Sequence, residues 1–227
     1  MDYLINVSGF GKLSPAPDPK APLLVVFGGV DVESKEFDGI KRDKKVLVAS
    51  GNYMWRYLDP IGARFRIFVA VNHHVNGNDA YDELMEKVQA WGFTPCQKIL
   101  YLFSAGCKPG MLLLQRKSPD LFESIYLVDI YLGGGSFYAG CEDFYRALVD
   151  KYKKTKKITY VYTEGGAGNE DAREHLKWGS WKATSVVPQN NEDGMQTHVR
   201  TNEVAIGMLK DEVAFGMPEE AAFGMLQ

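Results

Sequence analysis

From Leu23 almost to the end of the chain, short apolar runs alternate with helical patterns, and that alternation constrains the fold more than any other feature. The runs are Leu23–Gly29, Arg64–Val71, Lys98–Ala105, Ser124–Leu132, KITYVYTE ending at Glu164, and ATSVV ending at Val187. Unbroken apolar runs suit strands covered on both faces, and βα alternation at this spacing builds a mostly parallel sheet with helices on each side. The expected architecture is a three-layer α/β/α sandwich with little or no lid. Between the runs, DAYDELMEKVQAWGF is predicted helical, with Asp79 as N-cap and Gly92 as stop. EDFYRALVDKYKK, NEDAREHLKW and TNEVAIGMLKDEV are further helices, and GNYMWRYLDPIG is a short one ended near its proline. At the start, DYLINVSGF reads as one strand leading into a Pro-rich connector, SPAPDPKAP.

The chain of 227 residues is 45% hydrophobic, enough for one sizeable core. One domain over residues 1–212 is expected, followed by an apolar arm over 213–227. The tail repeats an apolar–Gly–Met unit at Ile206-Gly207-Met208, Phe215-Gly216-Met217 and Phe223-Gly224-Met225. Its glycines and Pro218 argue against one long helix, and the arm is expected to pack on its own domain or on a second copy, making a homo-oligomer. A net charge of −3 offers no basic field for a phosphate backbone, so nucleic acid is not an expected partner. Cys96, Cys107 and Cys141 are too scattered for a disulfide framework. The N-terminus lacks a basic-then-apolar leader and no apolar run has spanning length, so a cytoplasmic protein without a membrane partner is expected.

Ligands of such sheets sit at the carboxyl ends of strands. The polar residues there are Gly28 and Gly29, His73 and His74, the turn 104–110, Asp129 and Glu164. The turn, in YLFSAGCKPGMLLL, carries a hydroxyl and a thiol between two apolar runs. A nucleophile on a sharp strand-to-helix turn wants small residues two places to either side. With Ser104 at the tip those places are Leu102 and Gly106, and Pro109 falls about five residues into the helix, where a proline costs ~3 kcal/mol. With Cys107 at the tip they are Ala105 and Pro109, and Pro109 lies in the first helical turn, where its missing N–H is harmless. Sterics favour Cys107, with Ser104 as the alternative. A thiol there, at a helix N-terminus and near an imidazole, is expected to ionise below its ordinary pKa and to alkylate faster than Cys96 or Cys141.

FSAGCKPGML resembles the nucleophile elbow of α/β hydrolases, in the variant where cysteine replaces serine, as in dienelactone hydrolases. Ala105 and Pro109 stand where glycines are usual. The order of elements from Leu23 to about Leu209 follows the same fold. The resemblance implies an oxyanion loop after an early strand, which Gly28 and Gly29 in VVFGGVD match, with the Lys108 amide as a further donor. It implies a general base late in the chain, which His198 in the polar stretch NNEDGMQTHVR matches. His175 sits in a charged helix pattern and is read as a surface residue, and HHVNGND has no metal-ligand spacing. The orienting carboxylate is Glu164, with Asp129 as the alternative; Asp171 is placed in or capping a helix. The function so implied is an acyl hydrolase (ester, thioester or amide) or acyl transferase, acting on a small-molecule or acylated substrate without cofactor or metal. A catalytically inactive binding or assembly module of the same fold is the competing reading. A Rossmann-like or flavodoxin-like binder is weakened because FGGVDVESKEF lacks a full G-x-G-x-x-G.

Overall fold

The computed structural model describes residues 5–14, 18–29, 54, 57–153, 155–164, 169–189 and 192–216. Eight strands form one sheet: β1 (Ile5–Val7), β2 (Gly11–Leu13), β3 (Leu23–Phe27), β4 (Arg66–Ala70), β5 (Lys98–Phe103), β6 (Ser124–Val128), β7 (Ile158–Thr163) and β8 (Lys182–Val186). Their order is β1-β2-β4-β3-β5-β6-β7-β8. β2 is antiparallel to both its neighbours, and every pairing from β4 to β8 is parallel. The four runs expected to share a sheet do so. The single N-terminal strand was too simple an expectation, because the chain reverses at Ser8 and Gly9, both with positive φ, and Phe10 N–H donates to Val7 O at 2.8 Å. That mirror-image turn folds the segment into a hairpin.

Alternate residues of the central strands feed two cores. Val25 and Phe27, Leu100 and Leu102, and Ile125 and Leu127 join one. Leu24 and Val26, Tyr101 and Phe103, and Tyr126 and Val128 join the other. Helices α1 (Gly77–Ala90), α2 (Cys107–Arg116), α3 (Cys141–Lys151) and α4 (Glu170–Gly179) cover the first face. The second is covered by Met54, Leu58, Ile61 and Phe65 and by α5 (Gly194–Gly216). Of the expected helix GNYMWRYLDPIG, residues 51–53 and 55–56 lie outside the described residues; Met54, Tyr57 and Leu58 are helical, and a 3-10 turn, Asp59–Ile61, follows.

Two helix starts differ from expectation. α1 is capped by Asn76, whose side chain accepts from Asn78 N–H at 3.1 Å, while Asp79 lies inside the first turn. Gly92, at φ 70°, does end it. α5 begins at Gly194, seven residues before the expected Thr201. A reciprocal pair starts it: Gln196 N–H donates to Asp193 Oδ1 at 2.7 Å, and Asp193 N–H donates to Gln196 Oε1 at 3.0 Å. This is a capping box written in D-x-x-Q. α5 also runs through Gly207 to Gly216, so glycine does not stop it; the packing of the arm beyond lies outside the described residues.

Candidate active site

Ser104 closes β5 and opens a 3-10 turn, Ser104–Gly106, which passes directly into α2. Its φ is +53°, a left-handed backbone that costs a residue with a side chain on the order of 1–3 kcal/mol. The tip of the turn is therefore Ser104 and not Cys107, which is the first residue of α2 with ordinary helical angles. Two contacts and one helix position explain the register. A Cβ on Gly106 would lie 2.0 Å from Phe27 O, so the place two residues after Ser104 admits only glycine. The large Leu102, two places before, is accommodated from the other side: a Cβ on Gly110 of α2 would lie 2.5 Å from Leu102 Cδ1. Pro109 is the third residue of α2, since the 3-10 turn absorbs the residues between. Its missing N–H thus falls in the first turn with Ser104 at the tip, and the proline argument against Ser104 fails.

Asp129 follows β6 and is also strained, with φ +39°. Its carboxylate is buried and accepts three bonds: from Thr163 N–H at 3.1 Å, from Thr163 Oγ1 at 2.8 Å and from His198 Nδ1 at 2.6 Å. His198 lies on α5 rather than in a loop, and its ring stacks on Phe103, the residue before Ser104, at 4.6 Å between centroids. α5 is held to the sheet by apolar packing and by polar contacts. Tyr101 Oη donates to the buried Asn202 Oδ1 at 2.7 Å, and Ser124 Oγ and Tyr126 Oη both donate to the Glu212 carboxylate. The helix so fixed brings His198 over the end of β5. An imidazole held through Nδ1–H presents Nε2 as its basic nitrogen.

Glu164, preferred from sequence, is exposed in the turn after β7, whereas Asp129 holds the histidine. Asp171 lies in the first turn of α4, its N–H donating to the N-cap Asn169 Oδ1 at 3.0 Å. His175 pairs with Asp150 at 2.9 Å on the surface of α4. His73 and His74 follow β4 and lie against Phe137. Gly28 and Gly29 end β3 beside the turn, and a Cβ on Gly29 would lie 3.2 Å from Ser104 Cβ. Lys108 is one residue into α2, and the amide next to the tip belongs to Ala105 instead.

Cys107 is fully buried, and its Sγ donates to Tyr131 O at 3.1 Å. A hydrogen bond with Cys141, then burial, pushes the Cys107 thiol well above its ordinary value, opposite to the expected depression. That same bond pulls the Cys141 thiol below its ordinary value. Sequence reasoning missed Thr163 and Phe103, and it weighed Gly106 only as a flank of Ser104. Ser104 and Gly106 have the S-x-G spacing of an elbow, a signal outweighed in the sequence by Leu102 and Pro109.

No protein-family model matches this sequence, and no curated protein matches it significantly. Solved structures do. Est1E from Butyrivibrio proteoclasticus superposes with a TM-score of 0.52 at 13% identity, covering 91% of this chain and 98% of that one. The naproxen esterase (carboxylesterase NP) from Bacillus subtilis superposes with a TM-score of 0.52 at 11% identity, covering 94% of this chain and 90% of that one. This is the α/β-hydrolase fold. Its characteristic strand-to-helix turn is the one that carries Ser104, and Asp129 and His198 come later in the chain. Among the described residues no helix is long and apolar enough to cross a membrane, and no three His, Cys, Asp or Glu side chains cluster as metal ligands.

Proposed function

We propose that this chain is a serine hydrolase of acyl esters, with Ser104 as nucleophile, His198 as general base and Asp129 as the group that orients His198. The observation that carries the reading is the Asp129–His198 pair, 2.6 Å apart, stacked over the residue before a serine at φ +53°. Ser104 Oγ attacks the acyl carbonyl and His198 Nε2 takes its proton. Asp129, held in turn by Thr163, fixes the tautomer with hydrogen on Nδ1 and stabilises the imidazolium. The oxyanion meets the Ala105 N–H at the start of the 3-10 turn and backbone N–H groups of the Gly28–Gly29 segment. His198 then protonates the departing alcohol, and water activated by the same nitrogen frees Ser104. The esterase names of the two structural neighbours agree with this chemistry. Cys107 takes no part, because a buried, hydrogen-bonded thiol of raised pKa is a poor nucleophile.

A fluorophosphonate probe tests the assignment. It should label Ser104 in the native protein, label Cys107→Ala at a comparable rate, and leave Ser104→Ala unlabelled. Labelling that survives in Ser104→Ala and disappears in Cys107→Ala would restore the cysteine reading. A folded wild type that is never labelled would favour the inactive module.

A further inference from the structure

The loop between Asp129 and α3, in the stretch IYLGGGSFYAG, does more than connect two elements. Tyr131 N–H donates to Ser104 O at 3.0 Å, so this loop begins on the nucleophile turn itself. From there a row of rings runs outward. Tyr131 packs on Tyr138 at 4.6 Å, Tyr138 meets Phe137 edge-on at 4.9 Å, and Phe137 meets His74 edge-on at 5.0 Å. His74 belongs to the segment after β4, so the row bridges the ends of β6 and β4 above β5 and β3. That crossing is three strand spacings, about 14 Å. Tyr131 and Tyr138 are packed against the core on the α1–α3 side, opposite the face from which His198 approaches.

The glycines shape the loop around these rings. A Cβ on Gly133 would lie 2.3 Å from the Tyr131 ring, and Tyr131 Oη donates to Gly134 O at 3.4 Å. Gly135, at φ +125°, adopts a backbone open only to glycine. The rings are thus pre-set rather than loosely collapsed. Tyr131, Phe137 and Tyr138 are each half-buried, while Gly134, Gly135 and Ser136 beside them are exposed. Several flat rings are therefore fixed in a loop whose backbone is bonded to the Ser104 turn, with part of their surface still open.

We propose that Tyr131, Phe137, Tyr138 and His74 form an aryl subsite, so that the preferred ester carries a flat aromatic ring beside its carbonyl or on its alcohol. The proposal rests on the serine hydrolase reading. The ring contacts are edge-on or tilted, a geometry that extends to a further ring at 4.5–7 Å by quadrupole attraction, which an alkyl chain of equal area lacks.

The test compares methyl cinnamate with methyl hexanoate, and benzyl acetate with hexyl acetate, by acid release. The aryl ester should be preferred in one pair by about tenfold in kcat/KM, and that pair tells whether the ring sits on the acyl or the alcohol side. Phe137→Leu and Tyr138→Leu, which keep bulk and remove the ring, should each lower the preference about three- to tenfold. Near-equal rates within both pairs, or a preference unmoved in both variants, overturns the proposal. A second measurement separates it from the reading beneath. Ser104→Ala should bind cinnamate or benzyl alcohol more tightly than hexanoate or hexanol by calorimetry, and Phe137→Leu in that background should remove the difference. Probe labelling at Ser104 with no such difference sinks only the aryl subsite. Absent labelling with a Phe137-dependent difference sinks only the hydrolase.

Discussion

Replacing Asp129 by Asn changes one atom and should disable His198. The wild-type carboxylate is an acceptor for three donors, Thr163 N–H, Thr163 Oγ1 and His198 Nδ1. An asparagine has one acceptor oxygen and one donor NH2. If the oxygen stays on Thr163 N–H, the NH2 faces His198, which must then accept at Nδ1 and carry its proton on Nε2. That is the tautomer that cannot take a proton from Ser104. If the amide flips, NH2 meets the Thr163 N–H, donor against donor, at a buried position where an unsatisfied group costs about 1–3 kcal/mol. The unflipped form is therefore preferred, and the wrong tautomer should lower the rate on the order of 10³–10⁴-fold, as for other triads so altered. That corresponds to roughly 4–5 kcal/mol of transition-state stabilisation. The assay is the second-order rate of fluorophosphonate labelling at Ser104, which needs no knowledge of the natural substrate, with thermal unfolding measured in parallel. Glu164→Gln serves as the control and should stay within about twofold. A folded Asp129→Asn protein labelled within tenfold of wild type would refute the tautomer argument.

Other outcomes follow from the same contacts. Gly106→Ala should fold poorly, because its Cβ would lie 2.0 Å from Phe27 O; overpacking of this kind costs about 1–3 kcal/mol, read as a lowered denaturation midpoint. Cys107 should be the last of the three cysteines to alkylate in the native protein, because burial and Cys141 raise its pKa, and mass mapping after iodoacetamide near neutral pH checks the order. Asn202→Ala should strand the buried Tyr101 hydroxyl and lower stability by about 1–3 kcal/mol, while also slowing labelling at Ser104 through a displaced His198. Glu192 accepts from Arg200, from Gln189 N–H and from Thr197, and Arg200 first among them holds its pKa below the ordinary carboxylate value. A depressed folded pKa stabilises above the unfolded value and is lost as pH falls through the folded one, so Glu192→Gln should flatten the acid limb of the stability–pH curve.

The fold was legible because its signal is local. Each buried strand of a parallel sheet must be apolar on both faces, and each crossover needs a helix, so β3 to β7 and α1 to α4 are written as alternating runs, while β8 is a largely exposed edge strand. His198 and Asp129 were legible as candidates for the same reason, since strand ends and a late polar stretch can be found by counting along the chain. The choice within each pair was not. Leu102 counts against Ser104 only until Gly110, on the next element, is seen to make room for it. Pro109 counts against Ser104 only if the helix starts at the turn, and a 3-10 turn delays it, with Gly106 seated too close to Phe27 on another strand for any side chain. Glu164 and Asp129 are equivalent by position, and only Thr163 on β7, together with the angle at which Asn202 and Glu212 fix α5, gives the histidine to Asp129. Even the start of α5 was readable in Asp193 and Gln196, but its direction was not. Periodicity and caps decide which elements form, because they act over a few residues. Which hydroxyl is strained and which carboxylate meets the imidazole depends on atoms from strands and helices distant in the chain, and only their packing sets those distances.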